Sequence, residues 1–135
     1  MVRVASSRGG FVDVQVKGVA ETIRHLRARN KDIEDGADLG TFQGANLIQQ
    51  EWQESIMGRR AEPKSVDTAK YANSPDVNKI SKAQYKVLSD VPYAQFLEFG
   101  TVHIQPRGHL TNTVERNRSK VKAIIDVAIR LKLKI

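Results

Sequence analysis

Cysteine is absent from the 135-residue chain, which excludes disulfides, cysteine-ligated zinc and thiol catalysis together. No apolar run approaches the length needed to span a bilayer, and the opening MVRVASSRGG lacks the apolar stretch of a secretory signal. A soluble intracellular or assembled protein, with no membrane partner, is therefore expected. There is no glycine-rich phosphate loop and no nucleophile elbow, so a catalytic centre has no sequence signature to rest on. Helix-turn-helix spacing and a base-stacking aromatic strand are missing too, which argues against sequence-specific nucleic-acid recognition. Internal repeats and low-complexity segments are lacking. The length fits one domain with a real core.

The charge that is present is unevenly placed. The net charge is +7, and from Thr101 to the end eight Lys and Arg face two acids, while the first hundred residues hold fourteen against thirteen. The basic character belongs to the C-terminal third. Two readings stand: an anionic partner, such as nucleic acid or an acidic neighbouring subunit, or a solvated helix face whose lysines complement the helix dipole.

Residues 1–10 are small, polar and basic and are expected to form a flexible N-terminal arm, leaving 11–135 as a single domain. FVDVQVK alternates with a period of two, with Val12, Val14 and Val16 on one face, and predicts a strand. After Gly18, Val19, Ile23 and Leu26 predict a helix, with His25 off its apolar stripe. A longer helix is predicted from about Asp32 to Met57. Ile33, Ala37, Gly40, Gly44, Leu47, Ile48 and Ser55 fall on one side of it, and Leu39 and Phe42 point away, so both faces are apolar and the helix is expected to be sandwiched. Gly36, Gly40 and Gly44 are four residues apart, each costing about 1 kcal/mol against alanine in a helix interior. Either another helix approaches closely there, from this or a neighbouring subunit, or the helix bends.

The polar run 58–75 predicts a surface loop, and VNKI and QYKVLSD predict short strands joined near Ser81–Ala83. From about Leu110 a terminal helix is expected, with Val121, Ile124, Ile125, Ala128 and Leu131 buried. Arg116, Lys120, Arg130 and Lys134 line its opposite side, facing an anionic or acidic partner. Val127, Ile129 and Leu133 lie outside the buried stripe and hint at oligomerisation. The fold class expected is α+β, a small antiparallel β-sheet packed against one long helix and a C-terminal helix.

The segment VPYAQFLEFGTVHIQPRGHL (Val91–Leu110) is chemically the most mixed. Tyr93, Phe96 and Leu97 follow helical spacing, Pro92 suits a first helical position and Gly100 a helix stop. A short helix with core-facing aromatics is expected, with Glu98 near its exit. His103 and His109 are six apart across Pro106 and Gly108, which matches no standard ligand pair, so neither a metal nor a cofactor is expected.

VPYAQFLEFGT resembles the Tyr-Ala-x-x-Val-Glu-Phe-Gly-Thr signature of the tail-completion, or head–tail joining, proteins of tailed phages and prophages. Tyr93, Ala94, Glu98, Phe99, Gly100 and Thr101 match, with Leu97 for valine. Upstream, SVDTAKYANS is similar to the family's Pro-Val-Asp-Thr-Gly-x-Leu-x-x-Ser segment, matching at Val66, Asp67, Thr68 and Ser74. Downstream, Pro106 and Leu110 fit a Pro-Phe-Leu-Arg-Pro-Ala helix entry, where His109 stands for phenylalanine and Thr111 for arginine.

The resemblance implies a non-enzymatic virion protein, made in the host cytoplasm and placed at the neck. It would form a homo-oligomeric ring of about six or twelve copies between connector or stopper proteins and tail-terminator or tail-tube proteins, close to channel DNA. On this reading Gly36, Gly40, Gly44, Leu39, Phe42, Val127, Ile129 and Leu133 are inter-subunit positions. The alternative is a small basic DNA-binding protein without sequence specificity.

Overall fold

The alternating valines of FVDVQV do form a strand, and its two partners define the sheet. The computed structural model describes residues 2–7, 11–16, 31–65 and 69–133. Strand β1 (Val2–Ser7) pairs antiparallel with β2 (Phe11–Val16), from Val2 opposite Val16 to Ser7 opposite Phe11. Residues 2–7 are thus no arm. The six residues VRVASS, half of them apolar, are too few to give a firm periodic signal, but β2 offers an open edge whose N–H and C=O groups a neighbouring strand satisfies. The helix expected from Val19 lies outside the described residues.

Strands β3 (Asp76–Ser81) and β4 (Gln84–Ser89) form a hairpin, and β4 continues onto β2 with Val87 opposite Val14. The four-stranded antiparallel sheet has the order β1-β2-β4-β3. The hairpin turn is fastened from a helix. Asp38 Oδ1 accepts hydrogen bonds from the Ala83 N–H at 2.8 Å and the Tyr85 hydroxyl at 3.1 Å, and Lys79 reaches Oδ2 at 3.2 Å. Those bonds hold Ala83 at a left-handed φ of 57° and, with Lys79, outweigh burial to lower the Asp38 pKa.

Asp38 belongs to helix α1 (Lys31–Ile56), which agrees with the predicted long helix within a residue. A six-residue helix α2 (Ala94–Phe99) and the terminal helix α3 (His109–Leu133) complete the fold. The architecture is α+β, a small antiparallel sheet packed against the long helix and the C-terminal helix. Trp52, Ile48 and Ile56 of α1 meet Val12, Val14 and Val87 of the sheet and Leu110 and Val114 of α3 in one buried cluster. Trp52 donates its indole N–H to the Tyr71 hydroxyl at 3.2 Å, so the loop expected to be on the surface contributes a fully buried aromatic.

Helices α1 and α3 run antiparallel, and the glycines make their approach possible. A Cβ on Gly36 would lie 2.7 Å from Ile129 Cα, one on Gly40 2.7 Å from Ile125 Cα, and one on Gly44 2.9 Å from a Val121 methyl. The glycine stripe therefore serves an intramolecular contact. Gly36, Gly40, Gly44 and Ile129 are corrected from the inter-subunit role, and the helix runs unbroken through them. Leu131, expected inside, is 71 % exposed, because it is turned roughly a quarter-turn off the face on which Val121, Ile125 and Ala128 are buried. Among the described residues no helix is long and apolar enough to cross a membrane.

Candidate functional site

The signature segment begins at α2, and its orientation reverses the expected one. Ala94 and Glu98, one turn apart, are buried, whereas Tyr93, Phe96 and Phe99 are 40 %, 47 % and 49 % exposed. The reason is Glu98. Its Oε1 accepts the Leu110 N–H at 2.8 Å, and its Oε2 accepts the Thr111 N–H at 2.7 Å and the Thr111 hydroxyl at 2.5 Å. These donors belong to the first turn of α3, where backbone N–H groups have no helical acceptor and the dipole favours an anion. Turning Glu98 inward to cap α3 turns the aromatics outward.

The next residues shape the loop that follows. Gly100, at φ 77° and ψ 173°, donates its N–H to the Phe96 carbonyl at 2.8 Å. A Cβ there would sit 2.8 Å from both the Ile104 carbonyl oxygen and Pro106 Cδ. The Thr101 hydroxyl accepts the His103 and Ile104 N–H groups at 3.1 Å each, and Arg107 N–H closes back on the Leu97 carbonyl at 2.8 Å. Gly100→Val is expected to cost about 3 kcal/mol, combining a disfavoured positive φ with backbone collision. Denaturant titration checks it, and an unchanged midpoint would contradict this loop geometry.

Behind the loop lies a buried polar line that joins α1, the loop after it and α3. Ser55 Oγ donates to Glu62 Oε1 at 2.6 Å and therefore accepts from His109 Nδ1 at 2.8 Å. That leaves Nε2 to accept from the Ser65 hydroxyl at 2.6 Å, and Ser65 Oγ in turn accepts from Arg107 at 2.7 Å. Arg116 grips Glu62 with two hydrogen bonds, 2.6 and 2.8 Å, and Asn112 adds a third at 3.3 Å. Arg116 is thus committed to an internal acid, which corrects its assignment to an outside partner. The order Ser65–His109–Ser55–Glu62 has the members of a hydrolytic relay. However, His109 is wholly buried and the Ser65 oxygen already receives Arg107. The line ties the loop at residues 62–65 to α3.

Burial lowers the His109 pKa to about 4, against the opposing pull of Glu62. Burial alone would raise Glu62, but Arg116, Ser55 and Asn112 bring it down to about 2. The two groups act in the same direction on stability. With the folded His109 value below the ordinary 6.5, the unfolded chain takes up the proton first. Stability is full above 6.5 and falls as pH drops toward 4, and Glu62 adds a further loss from its ordinary 4.5 toward 2. Denaturant titrations are expected to show roughly 3 kcal/mol lost between pH 7.5 and 4. In His109→Gln the slope between pH 6.5 and 4 should flatten. A wild-type profile without slope in that window would contradict the assignment.

The outward surfaces are distinctive for what they lack. From Val91 to Pro106 the only Asp, Glu, Lys or Arg is the buried Glu98. Tyr93, Phe96, Phe99, Val102 and Ile104 stand exposed within that span, Val102 at 95 %. A second uncharged run, residues 39–50 of α1, exposes Leu39, Phe42, Gln43 and Gln50, with Phe42 resting its ring 5.4 Å from Tyr85.

The remaining expected positions divide three ways. Leu39, Phe42 and Val127 are exposed and Leu133 is half-buried, while Lys120 and Arg130 are exposed. Val66, Asp67, Thr68 and Lys134 lie outside the described residues. Sequence reasoning missed the roles of Ser55, Glu62, Ser65 and Arg107; apart from the Ser55–Glu62 bond, their partners in this line are 42 to 54 residues distant and leave no local pattern. Among the described residues no three metal-ligating side chains converge. These observations define two stretches of exposed, partly apolar surface on an α+β scaffold. No family model, curated protein or solved structure matches the chain.

Proposed function

We propose that the protein is a structural virion component of the phage neck, joining the DNA-filled head to the tail as part of an oligomeric ring. The observation that carries this reading is the pair of uncharged, partly apolar outer surfaces on a chain in which 27 % of residues are charged. Interface cores are depleted of charge and enriched in aromatic residues in this way. The signature residues support it. Glu98, Gly100 and Thr101 spend their polar groups on α3 and the loop, and that geometry presents Tyr93, Phe96, Phe99, Val102 and Ile104 outward. Connector or stopper proteins on the head side and terminator or tube proteins on the tail side would be its neighbours. The basic DNA-binding alternative loses one of its cations, because Arg116 is occupied by Glu62, while Lys120, Lys122, Arg130 and Lys132 of α3 stay exposed.

The test is genetic. Deleting the coding sequence from a producing prophage should leave filled heads and finished tails that fail to join, visible by electron microscopy. Normal joined particles from the deletion would remove the reading.

A further inference from the structure

We propose that the two uncharged surfaces bind each other between copies of this chain, the α2–loop surface of one copy seating on the outer face of α1 of the next. This rests on the ring reading above and gives it a contact. The five apolar side chains of the α2–loop surface expose on the order of 500 Å², a size at which patches on small proteins are usually functional. Thr101, His103, Gln105 and Arg107 rim it and add polar area toward the ~800 Å² per partner of a stable interface.

Charge decides the occupant. Arg107 borders this surface beside Phe99 and Ile104, and its guanidinium is spent on the Lys64 carbonyl and the Ser65 hydroxyl. Away from that edge a basic or acidic partner would set its ions against Phe96, Phe99 and Val102, stripped of water and unpaired, which is costly. The occupant must itself be uncharged where it touches, and the chain carries such a surface in residues 39–50. At the flank of that face Asp38 is neutralised by Lys79, and Asp35 by Lys82 at 2.6 Å. Leu39 and Phe42 then supply apolar contacts, and Gln43 and Gln50 supply hydrogen bonds without ionic cost.

Placement decides the symmetry. The α2–loop surface lies at the α3 N-terminus, which His109 locks to Ser55 near the end of α1. Phe42 is thirteen residues earlier on that helix, ~20 Å along its axis. Two separate patches that fit one another make a heterologous, head-to-tail contact, which closes into a ring or continues as a filament.

The test uses two variants of the full chain, Leu39→Glu/Gln43→Glu on one surface and Phe96→Glu/Val102→Glu on the other. All four positions are exposed, so both variants should keep the wild-type circular dichroism spectrum. If either fails to fold, the single variants Gln43→Glu and Val102→Glu take its place. In sedimentation velocity the wild type is expected to form oligomers larger than a dimer. Each variant alone should self-associate at least roughly thirtyfold more weakly, the scale of a hot-spot loss. Mixed in equal amounts, they should form a one-to-one heterodimer that grows no further, since one intact contact remains. A monomeric wild type, wild-type-like assembly of either variant, or a mixture that stays monomeric would each overturn the proposal. Particle joining reports separately: joined particles containing either variant would leave the neck reading standing while this contact falls.

Discussion

Gly40→Leu is expected to be the most damaging single substitution in the chain. Gly40 lies in the middle of the glycine stripe where α1 meets α3, and even a methyl carbon there would meet the Ile125 Cα at 2.7 Å and the Ala128 Cβ at 3.0 Å. The first obstacle is backbone, so no rotamer change relieves it. The helices must separate, and Ile48, Trp52, Val121 and Ile125, which fill the core beside them, would lose packing together. Overpacking alone costs about 1–3 kcal/mol, and exposing part of the shared core adds to that, so a total near 4 kcal/mol or failure to fold is expected. Gly40→Ala is the informative control. It gains about 1 kcal/mol of helix propensity but must still push α3 aside, and a net loss of about 1–2 kcal/mol should appear in thermal and denaturant melts. A stabilised Gly40→Ala would mean that the helices do not approach as described.

The second large effect is expected at Glu98. Removing its carboxylate in Glu98→Ala leaves the Leu110 and Thr111 N–H groups without their acceptor in a buried site and takes the negative charge from the N-terminus of α3. Charge-assisted hydrogen bonds are worth about 1.5–3 kcal/mol each, and a lost cap alone about 1, so a loss near 4 kcal/mol is expected. Glu98→Gln keeps an acceptor of the same reach but turns one end into a donor facing donors, and should recover about half. Hydrogen exchange adds a signature that general destabilisation lacks: the Leu110 and Thr111 amides should lose protection before the amides of Val121–Ala128. Uniform loss along α3 would argue that Glu98 is not its cap.

Helix α2 shows where sequence reasoning reached its limit. Six residues hold under two turns, so the spacing of Tyr93, Phe96 and Leu97 could not establish which side was inward. Burial went to Ala94 and Glu98 because the carboxylate had a partner twelve residues ahead, a tertiary fact that no local period records. The long helix was legible for the opposite reason. Twenty-six residues average out accidents, and three glycines at four-residue intervals ask for a close neighbour. What the spacing could not specify was whose helix that neighbour was, and it proved to be α3 of the same chain. The Ser55–Glu62–His109–Ser65 line was invisible because it joins residues from three places in the chain. The aromatic content of the mixed segment did mark the surface that matters most to the functional reading, although for burial rather than exposure.

That reading makes the exposed aromatics and the α1 face an assembly surface, and places the work of the buried acids in shaping it. Its most direct test is the composition of purified particles. Quantitative mass spectrometry of density-banded virions from a producing culture should find this chain at a fixed low copy number, about six or twelve per particle, enriched with portal and tail proteins and depleted from tail-less heads. Its absence from banded particles, with the protein free in the lysate, would contradict the account.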